Sequence, residues 1–184
     1  FKYVATDQNG IQSLYIKRPG GSYESYIPDT LVSGTNGNYF FKAIDNAGNE
    51  SIESEIYYDT TIPTVTIKAG NEVIESGSIT NSPRISASAT DTGSGIEKME
   101  YMPPGAYSYS TYIPHTELTE DGKYFFRAID KAGNTSEVLN VTKDNVLPIG
   151  TLKLETGSVV ASGYISNKAF KYLATDANGI KNIY

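Results

Sequence analysis

The 184-residue chain contains 21 acidic side chains, one histidine and 15 tyrosines, and these are the groups that could do chemistry. Among the acids, Asp59, Asp91 and Asp130 each open a turn-like phrase: Asp59-Thr60-Thr61-Ile62-Pro63, Asp91-Thr92-Gly93-Ser94-Gly95 and Asp130-Lys131-Ala132-Gly133-Asn134. Carboxylates in such phrases can cap their own turns through backbone N–H groups. Gathered by the fold, they could instead hold Ca2+, which takes about six to eight oxygen ligands. No compact Asp-x-Asp-x-Asp loop is present, so any gathering must come from tertiary structure. The single histidine, His115, follows Ile113-Pro114, and Asp29 stands at the matching place of an earlier, similar phrase. With no cysteine, and with no histidine kept from copy to copy, the chain offers no nucleophile–base pair, and an enzyme is not expected. Tyr101, Tyr107, Tyr109 and Tyr112 form an aromatic-rich segment suited to stacking on a glycan or adhering to a host protein. The earlier phrase keeps Tyr15, Tyr23 and Tyr26, which suits a packing role equally well.

Charge and composition exclude other classes. A net charge of -6 without clustered Lys and Arg argues against nucleic acid as a partner. No apolar run reaches the roughly 18 residues of a membrane helix, so membrane insertion is not expected within this segment. Seventeen Gly and 8 Pro, with no Cys or Trp, describe short strands joined by turns and no disulfide support. The chain starts at Phe1 without Met, which suggests a piece of something longer.

The elements that must position these side chains recur. Tyr39 to Asn49 reads YFFKAIDNAGN and Tyr124 to Asn134 reads YFFRAIDKAGN. ATDQNGI, ATDTGSGI and ATDANGI begin at Ala5, Ala89 and Ala174, so the repeat is about 85 residues. One unit is complete, 59–143. Residues 1–58 read as the later two-thirds of a preceding unit and 144–184 as the first half of a following one. Within the unit the hydrophobic period is two: Ile85, Ala87 and Ala89 alternate with hydroxyls, as do Phe1, Tyr3, Ala5 and Phe170, Tyr172, Ala174 with their neighbours. Tyr124 to Ile129 is apolar on both faces apart from Arg127 and is expected to be a central strand. Further strands are expected at Thr64 to Ile67, Ile96 to Met102 and Ser136 to Val141, giving about seven per unit.

Tyr-x-Phe-x-Ala-x-Asp-x-Ala-Gly-Asn-x-Ser, at Tyr39 to Ser51 and Tyr124 to Ser136, resembles the penultimate strand and following turn of tandem bacterial immunoglobulin-like and fibronectin-III-like repeats. Asp59 to Thr66 is similar to the linker that opens such repeats. The resemblance implies an all-β fold of tandem antiparallel immunoglobulin-like β-sandwiches, and a stalk, fibre or adhesin spacer in an extracellular protein of the bacterial cell surface. The alternative it leaves open is an adhesin module that binds a glycan or host protein through the Tyr-rich segment. An immunoglobulin-type strand order would bring Asp59, Asp91 and Asp130 to one end of the sandwich, at the domain junction, where Ca2+ could bind. Expected partners are neighbouring repeats or other copies of the chain, whose split end units would complete one another.

Overall fold

The computed structural model describes residues 1–163 and 168–183, and its regular structure there is all strand. The first repeat holds β1 (Ile11–Lys17), β2 (Tyr23–Tyr26), β3 (Gly37–Asp45) and β4 (Ser54–Tyr58), in one antiparallel sheet ordered β2-β1-β3-β4. The middle repeat holds β5 (Thr64–Ala69), β6 (Glu72–Ile74), β7 (Ser78–Thr80), β8 (Ile85–Thr90), β9 (Ile96–Met102), β10 (Ser110–Tyr112), β11 (Gly122–Asp130) and β12 (Leu139–Lys143). These eight form two sheets, β10-β9-β11-β12-β7 and β6-β5-β8. The third holds β13 (Ile149–Leu154), β14 (Val159–Val160) and β15 (Phe170–Thr175), ordered β14-β13-β15.

The core of the middle repeat follows from the period-two pattern. Val65, Ile67, Ile85 and Ala87 of the smaller sheet face Met99, Tyr112, Tyr124, Phe126, Ala128 and Val141 of the larger. Burying these faces excludes water from both sheets and makes the unit a β-sandwich. As its two-sided apolar pattern implies, β11 is central, flanked by β9 (Ala128 opposite Met99) and β12 (Tyr124 opposite Val141). Two expectations are corrected in detail. The last strand begins at Leu139, because Ser136 is spent on the preceding turn. Phe1, Tyr3 and Ala5 do alternate inward onto the first repeat's core, yet residues 1–7 form no strand: among the described residues no strand lies beside them to complete a ladder, as β5 does for β8.

The repeated phrase can now be read as chemistry. Asp130 accepts the N–H groups of Ala132 and Asn134 on Oδ1 and the Asn134 amide on Oδ2, at 2.8–2.9 Å. Gly133 turns the chain at φ 92°, and Ser136 Oγ accepts the Ala128 N–H. Asp45, Asn49, Gly48 and Ser51 make the same set in the first repeat. Each phrase begins with a tyrosine whose hydroxyl donates to the carbonyl four residues earlier, Tyr39 to Thr35 and Tyr124 to Glu120. The motif is one strand with its turn wired shut.

Register also fixes where the chain enters and leaves. Thr64 at the start of β5 lies opposite Thr90 at the end of β8, and Asp130 at the end of β11 lies opposite Ile96 at the start of β9. That is the entry pole. Lys143, the last residue of β12, pairs with Gly122 at the start of β11, so the chain exits at the opposite pole.

Candidate functional site at the junction of two repeats

The entry pole gathers three carboxylates from three elements. Asp59 comes from the linker before β5, Asp91 from the turn after β8 and Asp130 from the end of β11; one oxygen of each lies within 4.8 Å of the others. Asp59 and Asp130 are buried, 6% and 0% exposed. Negative groups this close repel, so something must compensate them. Most of the compensation is by amides. Asp59 Oδ1 accepts from Thr61 N at 2.9 Å and Asn36 Nδ2 at 3.0 Å, and Oδ2 accepts from Ser94 N at 2.5 Å. The Thr61 N–H foremost, with that of Ser94, pulls the Asp59 carboxyl down to about 2, against the opposing effect of burial. Asp91 Oδ2 accepts from Gly93 N and Gly95 N at 2.9 and 2.8 Å. Its other oxygen, Oδ1, is buried and has no hydrogen-bond partner.

An orphaned buried carboxylate oxygen beside two further carboxylates suits a hard cation, and an all-oxygen set suits Ca2+ better than a softer metal. The space is tightly drawn: a methyl group on Gly93 would lie 2.2 Å from Asp59 Oδ2, so only glycine fits beneath the linker carboxylate.

Asp59 also joins two repeats. Asn36, in the first, holds Asp59 and Thr61 through its amide nitrogen, and its oxygen accepts from Thr60 N and Oγ1 at 3.0 Å. Asn134, in the middle repeat, donates to the Asp59 carbonyl at 3.1 Å. The next junction repeats the linker turn, with Val146 N on Asp144 Oδ1 and Asn178 N on Asp176 Oδ1. It closes differently, however. Asp121 stands where Asn36 stood, and Lys143, 1% exposed, replaces Tyr58 and pairs with Asp121 at 2.7 Å. The Lys143 ammonium foremost, and the Asn145 N–H, hold the Asp121 carboxyl below its usual range. The sequence reading did not single out Asn36 or Asp121; their matched positions in successive repeats were the available signal.

The four tyrosines of the aromatic segment do not share a face. Tyr112 is 3% exposed; its hydroxyl accepts the Ala87 N–H and donates to the Thr116 carbonyl, and its ring packs on Phe126. Tyr101 is half-buried against the same core. Tyr109 lies under the Arg127 guanidinium, 4.0 Å from ring centre to carbon, and Tyr107 is fully exposed. Burial thus removes Tyr112 from any glycan surface. His115 is an exposed turn residue at φ 65°, and its counterpart Asp29 has φ 61°, so the position is set by backbone geometry.

No family model matches the chain, and no curated protein matches it. Among solved structures, the fibronectin(III)-like modules of Clostridium thermocellum CbhA are similar at 17% identity and a TM-score of 0.36, over 77% of this chain and 83% of that one. The sandwich assignment rests on this chain's own sheets and registers.

Proposed function

We propose that the chain is a non-catalytic spacer: a run of tandem immunoglobulin-like repeats, extracellular on a bacterial cell surface, that serves as a stalk, fibre or adhesin shaft. The observation that carries this reading is that the middle sandwich is entered at one pole and left at the other. Repeats joined this way extend end to end. The linker between them is short and restrained, since Pro63 fixes its own φ and limits Ile62, while Asn36 and Asn134 grip Asp59 from both sides. Ca2+ held by Asp59, Asp91 and Asp130 would neutralise the clustered charge and tie the linker to two turns of the middle repeat. The partners on this reading are neighbouring repeats of the same protein and, at the ends, other copies of the chain.

Small-angle scattering across protein concentration, with and without Ca2+, tests the proposal. A rod of fixed length that stiffens with Ca2+ is expected, and growth into long fibres would add assembly of copies to the function. A compact particle indifferent to Ca2+ would overturn it. Calorimetric titration with Ca2+ should give one site that Asp91→Asn weakens at least about tenfold, since one coordinating charge is lost. A second reading, adhesion to a glycan or host protein, is favoured by the fully exposed ring of Tyr107. Glycan-array binding abolished by Tyr107→Ala would support it.

A further inference from the structure

We infer that Asn36, whose side chain grips the linker, is a site of spontaneous deamidation through Gly37, and that the reaction releases the first repeat from the middle one. The inference goes beyond the spacer reading and rests on it only for what a loosened junction does to a stalk. Asn-Gly pairs occur at Asn9, Asn36 and Asn178. Glycine has no Cβ to shield its nitrogen, so that nitrogen can approach the preceding side chain. At Asn36 the fold fixes both members of the pair. Gly37 takes φ 138°, which L side chains rarely adopt, and a Cβ there would lie 2.9 Å from Cβ and Cγ of Pro19. Asn36 must be an amide, because its Nδ2 donates to Asp59 Oδ1 at 3.0 Å and to Thr61 Oγ1 at 2.7 Å, while its Oδ1 accepts from Thr60 N and Oγ1, both at 3.0 Å. The two donors on Oδ1 draw electron density from Cγ and face the oxyanion that forms when a nucleophile adds there. The clamp therefore carries its own labile bond.

The step balances with water as the only co-reactant. Solvent hydroxide takes the Gly37 N–H proton, the nitrogen bonds to Asn36 Cγ, the Cγ–Nδ2 bond breaks, and Nδ2 leaves as ammonia after taking a proton from water. A second water opens the succinimide to aspartate or isoaspartate. Aspartate at 36 puts an anionic oxygen where Nδ2 donated, against the Asp59 carboxylate, and like charges at that distance repel. Isoaspartate routes the backbone through the side chain and withdraws the gripping group. The next junction shows what a carboxylate at this place requires: Asp121 is paired there with the buried Lys143 at 2.7 Å. Tyr58 stands at the matching position of the first repeat and offers no positive charge.

The test uses the full chain, aged in warm, mildly alkaline buffer with a chelator present. Peptide mapping by mass follows the replacement of NH by O at each Asn-Gly pair. In the same samples, energy transfer between dyes follows the inter-repeat distance; the dyes sit on cysteines introduced at exposed positions of the first and middle repeats, since the chain has none of its own. Asn36 is expected to convert before the exposed Asn9 is exhausted, and the distance distribution to broaden in step with the loss of Asn36. The Asn36→Asp chain is expected to show the broadened distribution from the start. Asn36 left intact after Asn9 has fully converted would overturn the inference, and so would an Asn36→Asp chain with the parental distribution. Either result leaves the spacer reading standing, since that reading fails when scattering shows a compact particle indifferent to Ca2+.

Discussion

The residue whose chemistry looked most distinctive, His115, is explained by its backbone. A left-handed φ at a non-glycine residue costs energy, least for Gly, Asn and Asp, and most for β-branched side chains. His115→Asn or His115→Gly is therefore expected to leave denaturant stability unchanged or slightly raised, while His115→Val lowers it by about 1 kcal/mol. Tyr112 is a different kind of residue: its hydroxyl satisfies a core amide, Ala87 N–H. Tyr112→Phe leaves that donor unpaired and is expected to cost about 1–3 kcal/mol in urea unfolding. The carboxylates set the acid limit. Asp121, Glu100 and Asp45 all have folded pKa values held below their usual ones, by Lys143, by Lys98 with Arg127, and by Asn49 respectively. A depressed carboxyl stabilises the fold above its unfolded pKa, near 4, and that contribution is lost as pH falls through the lower folded value. Melting temperature is thus expected to hold down to about pH 4 and to fall below it.

At the scale of elements, the first and middle repeats close the end of the hairpin formed by their last two strands with different pairs. In the first, Asn36 and Tyr58 flank the start of β3 and the end of β4, and Tyr58 packs on Phe1 and Tyr39. In the middle repeat the pair is Asp121 and Lys143. Removing the carboxylate alone, as in Asp121→Asn, leaves a buried ammonium facing a neutral amide. With Asp121 about one-third exposed, a lowered melting temperature is expected, by less than orphaning a fully buried charge would cause. Adding Lys143→Tyr imports the first repeat's solution and should recover most of that loss. Additive losses in the double-mutant cycle would show that the two pairs are not equivalent devices.

On the proposed spacer function, the stiffness of the whole molecule resides in the junction more than in any sandwich. Among the described residues, Asn36 is the side chain of the first repeat that hydrogen-bonds the linker at Asp59, Thr60 and Thr61. Asn36→Ala is expected to leave the middle repeat's unfolding transition in place while broadening the distribution of inter-repeat distances, measured by energy transfer between dyes at exposed positions of the two repeats. A distribution unchanged by the substitution would mean that the linker holds itself.

The repeat, the all-β class, the central strand and the turn that follows it were legible in the sequence, because a period of two and the Asp-x-Ala-Gly-Asn phrase are local consequences of side-chain size and hydrogen-bonding capacity. The nearness of Asp59, Asp91 and Asp130 was anticipated through a strand order taken from a resemblance, since no local signal joins positions so far apart in the chain. Tertiary structure alone decided the rest. Whether Tyr112 faced core or solvent depended on which strand edge its hydroxyl met, and the unpartnered oxygen of Asp91, the Asn36 clamp and the burial of Lys143 each depend on contacts between segments distant in sequence. The opposite placement of entry and exit, on which the spacer reading rests, is likewise fixed by ladder register, which a sequence pattern permits but does not choose.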